Sequence, residues 1–177
     1  MSIRIENIDI KNIEDIYEFE LENREYFESV LPPRPEGYFE IEKFEEIMKE
    51  LIEEQLSGKC YMHIIRDNSG KIVGRVNLHS IEGQHVRKAE LGYRIGKEYQ
   101  GKGYASKAVK QVTEQGFTKY GLTKIEAGTS TENIGSQIVL LKNGFTLVGS
   151  EKKVMKINYK WVDGLLYSKV HIYNNKD

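Results

Sequence analysis

The feature that most constrains this chain is a glycine-rich turn between a predicted strand and a predicted helix. The turn reads Gln-Gly-Lys-Gly-Tyr-Ala over residues 100–105, after a strand-like run from Ala89 to Ile95 and before a helix-like run from Tyr104 to Tyr120. The first N–H groups of a helix lack partners within the helix and carry a partial positive charge. This turn is therefore suited to bind an anion, typically phosphate, and the alternative is a tight turn that only caps the helix.

The order of patterns around the turn predicts a mixed sheet. Three strand-like runs are joined by short turns and indicate an antiparallel meander. They are Cys60 to Arg66, Lys71 to Ile81 and Arg87 to Ile95. After the glycine turn come the helix and a short strand, Lys124 to Ala127, and this order predicts a crossover with a parallel strand pair. We therefore predict an α/β fold (an α+β mixed sheet with flanking helices) in a single domain over residues 1–177.

Helical spacing predicts two helices in the N-terminal third. One runs from Ile13 to about Arg24 and the other from Phe39 to Leu56. The segment between them, Tyr26 to Phe39, contains all three prolines, so it is predicted to be irregular or a broken helix.

The sequence pattern predicts a third helix and a hairpin arm in the C-terminal third. Thr131 is predicted to cap a helix over Asn133 to Asn143, with Ile134, Ile138 and Leu141 in the core. Strands are predicted over Phe145 to Val148 and Leu165 to Tyr173, with the arm, Lys152 to Gly164, between them.

Composition limits the partners and the chemistry. With 26 Lys+Arg against 27 Asp+Glu, the chain has no general attraction to nucleic acid or to an anionic membrane. The sequence begins without a long apolar run, which predicts neither signal peptide nor membrane helix and favours the cytoplasm. Cys60 lies in a strand-like run and is predicted to be a buried, inert thiol. His63, His85 and His171 show no metal-ligand spacing with one another or with Cys60, so we predict no metal.

Two side chains in the predicted meander are candidates for proton transfer. Alternation along the strand places Glu90 on the same face as Arg94, and a carboxylate in a central strand is costly to bury unless it is paired. Glu90 is therefore either at a solvated cleft as a base or in a salt bridge with Arg75 or Arg94. His79 is the rival base, because histidine titrates near neutrality, although a strand histidine is commonly a structural group.

Asn133 and Ser136 open a predicted helix directly after a strand. Both residue types are common helix caps, which is the simpler interpretation. However, the parallel crossover brings the C-terminal ends of the strands before Gln100 and before Asn133 side by side, and ligands of open α/β sheets bind outside such ends. Asn133, Ser136 and the glycine turn are therefore predicted to face a common cleft.

These motifs resemble those of a known family. Gln100 to Ala105 resembles the Q/R-x-x-G-x-G/A acyl-CoA signature of the GNAT superfamily of N-acetyltransferases. Asn133 to Ser136 and Lys142 to Phe145 resemble the N-x-x-S and K-x-G-F patterns of its RimJ/RimL-like branch, which acetylates the N-termini of ribosomal proteins. The resemblance spans roughly Lys71 to Tyr173 and also includes Leu91 to Ile95 and Trp161 to Gly164.

The resemblance implies a GNAT-like fold and acetyl-CoA as co-substrate. The glycine turn would hold the pyrophosphate, while the main chain of the preceding strand and the Asn133 side chain would hold the pantetheine arm. The residues implied to bind acetyl-CoA are Tyr93, Ile95, Gln100, Gly101, Lys102, Gly103, Tyr104, Ala105, Asn133 and Lys142.

The resemblance also implies a direct attack by an amine on the thioester within a ternary complex. Glu90, acting through a water molecule, is the implied base, and His79 is its rival. Many relatives place a thiolate-protonating tyrosine seven residues after the asparagine, where this chain has Leu140. Ser136 is the candidate to stabilise the departing thiolate.

The acceptor is left open by the sequence. It is a primary amine, either a protein N-terminus or a small molecule such as a polyamine or an antibiotic. Its pocket is predicted between the Tyr26 to Phe39 segment, the helix around Phe44 to Leu56 and the Lys152 to Gly164 arm. The alternative from another class is a non-catalytic module that senses acyl-CoA. A homodimer also stays open.

Overall fold

One mixed sheet forms the centre of the molecule. The computed structural model describes residues 2–171. Within them, seven strands form a single sheet in the spatial order β1-β2-β3-β4-β5-β7-β6. The strands are β1 Arg4–Asn7, β2 Tyr61–Arg66, β3 Ile72–Glu82, β4 Lys88–Ile95, β5 Lys124–Ser130, β6 Thr146–Ile157 and β7 Lys160–Val170.

Helices cover both faces of the sheet. In the described residues they are α1 Ile13–Glu22, α2 Arg24–Val30, α3 Ile41–Leu56, α4 Tyr104–Thr118 and α5 Ile134–Lys142. The predicted broken helix is α2 followed by a loop that contains the three prolines, since proline removes a backbone donor and ends a helix.

Two apolar cores bind these helices to the sheet. On one face, Phe44 and Met48 of α3 pack with Ile16 of α1 against Ile64 of β2. On the other face, α4 contributes Val109 and its neighbours to a core shared with β3, β4 and β5. Every side chain named here is nearly or fully buried, so each face contributes hydrophobic stabilisation in proportion to the apolar area removed from water.

The predicted meander and the predicted parallel pair are confirmed. Strands β2, β3 and β4 pair in antiparallel order, and β4 pairs in parallel with β5. The parallel ladder covers only Lys88 to Glu90 of β4, whereas β4 continues to Ile95 and β5 to Ser130. The two strands therefore diverge beyond Glu90, and the edge of β4 that faces β5 is left without a strand partner.

The predicted arm is part of a longer hairpin. β6 and β7 pair along most of their length, and Asn158 and Tyr159 form the turn with φ angles of +46° and +63°. Two consecutive positive φ angles give the twist that suits a two-residue hairpin turn. The pairing register of β6 shifts at two places, so β6 continues as one strand into the predicted arm, Lys152 to Gly164. The predicted end of the last strand, Tyr173, lies outside the described residues.

The predicted core face of α5 is wrong. Ile134, Ile138 and Leu141 are 58%, 46% and 56% exposed, whereas Leu140 is fully buried. The helix packs against α4 and β5 through the Leu140 side, so Ile134 and Ile138 lie along the opening between the diverging strands. The cap was also predicted wrongly, because Asn133 rather than Thr131 is the N-cap residue and the Thr131 N–H donates to Asp163 O.

Candidate active site

A cleft opens where β4 and β5 diverge. Its volume is about 1170 Å³, and it runs from the glycine turn past the end of β4 to the proline-rich loop after α2. All three candidate catalytic residues line it, as do nine of the ten residues implied to bind acetyl-CoA. Lys102 is the exception, since its Nζ lies 5.4 Å from the Tyr99 ring centroid and the residue is outside the cleft lining.

The glycine turn leaves the start of α4 open. Gly101 and Gly103 have φ angles of +71° and +78°, which a side chain would strain, and a Cβ on either would meet no atom within 4 Å. Gly103 is the N-cap residue, no side chain caps the helix, and its first turn has no acidic residue. The free N–H groups of this 15-residue helix therefore face the cleft as an anion site.

Gln100 fixes the turn to the strand before it. Its Nε2 donates a hydrogen bond of 2.6 Å to the carbonyl oxygen of Ile95, the last residue of β4. That carbonyl is therefore already bonded within the protein. The main-chain groups that remain for an extended ligand are those nearer the middle of the diverging segment.

Asn133 and Ser136 form the opposite wall. The Asn133 side-chain oxygen accepts a hydrogen bond of 3.0 Å from the Ser136 N–H, so Asn133 does cap α5. The cap uses only the oxygen, and the Asn133 amide nitrogen has no hydrogen bond recorded within residues 2–171. An amide donor is thus left in the cleft wall beside the diverging strands.

The Ser136 hydroxyl is paired with a tyrosine across the cleft. Its Oγ lies 2.7 Å from the Tyr93 hydroxyl, which also lies 3.2 Å from the Ser136 carbonyl oxygen. Burial raises the pKa of Tyr93 to about 12, with the Ser136 hydrogen bond acting in the opposite sense. Leu140, seven residues after Asn133, is fully buried in the core. Tyr93 and Ser136 therefore supply the hydroxyl groups at this point of the cleft.

Glu90 and His79 are direct neighbours on adjacent strands. They are cross-strand partners in the β3–β4 ladder, with Glu90 exposed and His79 half-buried. The His79 Nδ1 lies 3.0 Å from Ser80 Oγ, and its Nε2 would lie 3.5 Å from a Cβ built on Gly92. Both side chains thus border the open strand face above Gly92. The alternative salt bridge of Glu90 with Arg75 or Arg94 is wrong, because both arginines bind another carboxylate.

That carboxylate is Glu20, which sequence reasoning missed. It is fully buried on α1 and accepts from Arg75 Nη1 at 2.7 Å, Arg34 Nη2 at 2.9 Å and Arg94 Nη1 at 3.1 Å. One signal could have found it: Glu20 falls at helical spacing from Ile13 and Ile16, on the buried side of α1. A carboxylate in an apolar stripe requires cationic partners.

The charged groups of this cluster shift one another's pKa values. Burial would raise the pKa of Glu20, but the three arginines outweigh it and lower the pKa to about 2. Burial lowers the pKa of Arg94 to about 10, with Glu20 opposing and Arg34 and Arg75 reinforcing that change. The lowered pKa of Arg94 therefore reflects mainly the removal of its guanidinium group from water.

Other reactive groups have structural roles. His63 is buried, and burial lowers its pKa to about 4. Its Nδ1 lies 3.0 Å from Val76 O and its Nε2 lies 3.3 Å from the Tyr120 hydroxyl. Cys60 is buried as predicted, and burial raises its pKa to about 11. Among residues 2–171 no three His, Cys, Asp or Glu side chains are grouped to hold a metal ion. No helix of that range is long and apolar enough to span a bilayer.

The cleft therefore joins the gap between two diverging parallel strands to an open helix start, with Glu90 beside the gap. Residues 3–146 match the family described as acetyltransferase (GNAT) domain. The chain belongs to this family, has the GNAT fold and is an N-acetyltransferase by class.

Named relatives agree with this assignment. The probable N-acetyltransferase YjcK of Bacillus subtilis is 29% identical over 163 residues, which cover 92% of this chain and 90% of YjcK. The crystal structure of ribosomal-protein-S5-alanine acetyltransferase from Vibrio fischeri superposes with a TM-score of 0.90 at 27% identity, covering 96% of this chain and 93% of that one. Spermidine N-acetyltransferase from Vibrio cholerae, solved with CoA and spermine, gives a TM-score of 0.80 at 21% identity and 95% coverage of both chains.

Proposed function

We propose that this protein transfers acetyl from acetyl-CoA to a protein N-terminal α-amine. The observation that carries the proposal is the continuous surface from the unpaired edge of β4 to the uncapped start of α4. The free strand edge suits an extended arm with amide groups, and the helix start suits a pyrophosphate. These residues therefore fit acetyl-CoA, which supplies the activated acetyl group.

Individual residues have distinct roles in this proposal. Gly101, Gly103 and the N–H groups of Tyr104 and Ala105 bind the pyrophosphate, and Lys142 adds positive charge from the opposite wall. The main chain near Tyr93 and the free amide nitrogen of Asn133 bind the arm between the strands. Lys102 has no contact role here, since its side chain is directed to Tyr99.

The transfer step needs a base, an oxyanion donor and a thiolate partner. An α-amine is mostly protonated at neutral pH, so Glu90 first takes a proton from the acceptor ammonium through water. The neutral amine that results attacks the thioester carbon. A β4 N–H near Tyr93 stabilises the developing oxyanion. Ser136 donates a hydrogen bond to the departing thiolate, and Tyr93 orients the Ser136 hydroxyl through their 2.7 Å contact.

The charge at the acceptor end favours an N-terminus over a polyamine. Arg34 and Arg94 line this end and, with Arg75, outnumber the single carboxylate of Glu20. A polycation is repelled there, whereas a peptide with one amine is accommodated by the apolar walls. The presence of Glu90 and Ser136 in one cleft favours an enzyme over a non-catalytic acyl-CoA sensor.

A panel of amines tests the proposal. Thiol release from acetyl-CoA is measured with a peptide that begins with Ala or Ser, with spermidine and with an aminoglycoside. We expect the peptide to give the highest kcat/KM. Preferential turnover of spermidine or the aminoglycoside would contradict the proposed acceptor, and tight acetyl-CoA binding without any turnover would favour the sensor.

Gly103→Val is expected to raise the Kd of acetyl-CoA about tenfold, equivalent to about 1.4 kcal/mol, because a branched side chain strains the turn and crowds the anion site. The matched control is Gly121→Val, which lies beyond the other end of α4 with a φ of +67° and equally open surroundings. Calorimetric titration should show the loss of affinity in Gly103→Val alone. Equal affinities in both variants would refute the pyrophosphate assignment.

Ser136→Ala is expected to lower kcat by about 10- to 100-fold, the worth of one hydrogen bond to a charged group. Acetyl-CoA affinity should stay the same, since the Ser136 N–H that binds the Asn133 cap is kept. Ser136→Thr keeps the hydroxyl and should recover most of the rate. Single-turnover kinetics provide the measurement, and an unchanged rate in Ser136→Ala would exclude the thiolate role.

A further inference from the structure

The Glu20 cluster has more positive than negative charge at the cleft. Three guanidinium groups, those of Arg34, Arg75 and Arg94, share the one carboxylate of Glu20. Arg75 is 3% exposed and lies in the interior of the protein. The side chains of Arg34 and Arg94 are 27% and 16% exposed and line the cleft. Two of the three cations are thus accessible to a ligand.

Both accessible arginines have unused donors. A guanidinium has five N–H donors, and the hydrogen bonds recorded for Arg34 and Arg94 within residues 2–171 are one each, both to Glu20. The Nε of Arg34 is buried without a hydrogen-bond partner in that range. Both guanidinium groups thus have more N–H donors than acceptors within the described residues.

Aromatic rings hold the two guanidinium groups in place. Arg34 lies 4.5 Å from the Tyr38 ring centroid, and Arg94 lies 4.8 Å from that of Phe27. Stacking fixes the plane of a guanidinium and leaves its N–H edge for ligands such as carboxylates. The site is therefore organised before a ligand binds.

The position of the cluster relates it to the reacting amine. Glu90, Gly92 and Arg94 lie on one face of β4, which places the Cα atoms of Glu90 and Arg94 about 13 Å apart. Gly92 has no side chain between them, so an acceptor can lie across this surface. An amine near Glu90 then has its neighbouring groups directed towards Arg94.

We propose that Arg34 and Arg94 bind a carboxylate of the acceptor, so that the preferred substrate is an amine flanked by a carboxylate. This inference rests on the proposed transfer to an amine at Glu90. The carboxylate belongs either to an acidic side chain at the second or third position of a peptide or to the carboxyl group of a free amino acid. Both sources offer the same planar, bidentate partner to a guanidinium.

Matched acceptors test the proposal on the full chain. Three peptides that begin with Ala and differ only in Glu, Gln or Lys at the second and third positions are compared, together with alanine and alaninamide. We expect kcat/KM to be at least tenfold higher for the Glu peptide than for the Gln peptide, mainly through KM. A preference for alanine over alaninamide would instead identify a free amino acid as the source of the carboxylate and would contradict a protein N-terminus as the acceptor.

Arginine variants show whether the cluster causes the preference. Arg34→Gln should reduce the Glu-to-Gln ratio to near one, and Arg34→Lys should recover part of it. Arg24→Gln is the control, since it removes one positive charge from α2 outside the cleft lining. An unchanged Glu-to-Gln ratio of kcat/KM in Arg34→Gln would show that Arg34 has only a structural role. Equal turnover of all acceptors by the wild type would overturn the carboxylate site alone, whereas no turnover of any amine would overturn the proposed function as well.

Discussion

Glu90→Gln is expected to lower kcat for acetyl transfer by about 10²-fold or more, the usual contribution of a positioned general base. Glutamine keeps the shape of the side chain and the exposed position on β4 but cannot accept a proton from the amine. KM for both substrates should change little, because the variant alters neither the glycine turn nor the arginine cluster. Pre-steady-state measurement of the chemical step gives the most direct value.

The pH profile separates Glu90 from its neighbour. If Glu90 is the base, the acidic limb of the kcat profile disappears in Glu90→Gln and persists in His79→Gln. The two residues are cross-strand partners, so each variant is the matched control for the other. An unchanged profile in Glu90→Gln, with the limb lost in His79→Gln, would assign the base to His79.

Glu20→Gln is expected to lower the free energy of unfolding by about 3–5 kcal/mol, the cost of leaving buried charges without their partner. The substitution keeps the size of the side chain but leaves the three arginines without a counter-charge. Glu28→Gln is the control, because Glu28 forms an exposed ion pair with Arg24 and should cost at most about 1 kcal/mol. Urea unfolding at neutral pH compares them, and equal losses would show that the cluster contributes no special stability.

Glu20 should also set the acid stability of the protein. Its pKa is about 2 in the folded state and about 4.5 as an ordinary glutamate, so its ionisation stabilises the fold above pH 4.5. That contribution, about 3 kcal/mol, is lost as the pH falls from about 4.5 towards 2. Glu20→Gln should lack this part of the pH dependence. Parallel stability curves for the two proteins between those pH values would contradict the assignment.

The centre of the fold could be predicted from sequence because its signals are local. The glycine turn, the alternation along β4 and the periodicity of α4 lie within a continuous stretch of chain, and each element forms where its pattern predicts. The same stretch carries the family resemblance, which the match to the acetyltransferase (GNAT) domain confirms. The cleft follows from it, since a parallel pair joined through a helix brings both strand ends together.

The acceptor end could not be predicted because its contacts are long-range. Glu20 meets Arg34, Arg75 and Arg94 from three other parts of the chain, so no local pattern pairs them. The periodicity of α5 predicts a core face because the period of an apolar stripe is the same whether the stripe packs inward or lines a cleft. The cytoplasmic location and the lack of a nucleic-acid partner stay predictions, and a homodimer stays an open alternative.

The central claim is that this cleft joins acetyl-CoA at the glycine turn to an amine at Glu90. Its most direct test is acetyl-CoA labelled in the acetyl group, incubated with an Ala-initiated peptide that also contains an internal lysine, followed by mass spectrometric localisation of the label. We predict label on the α-amine alone, and none on the same peptide with a formylated N-terminus. Label on the lysine in place of the α-amine, or acetyl-CoA bound with no labelled peptide, would contradict the account.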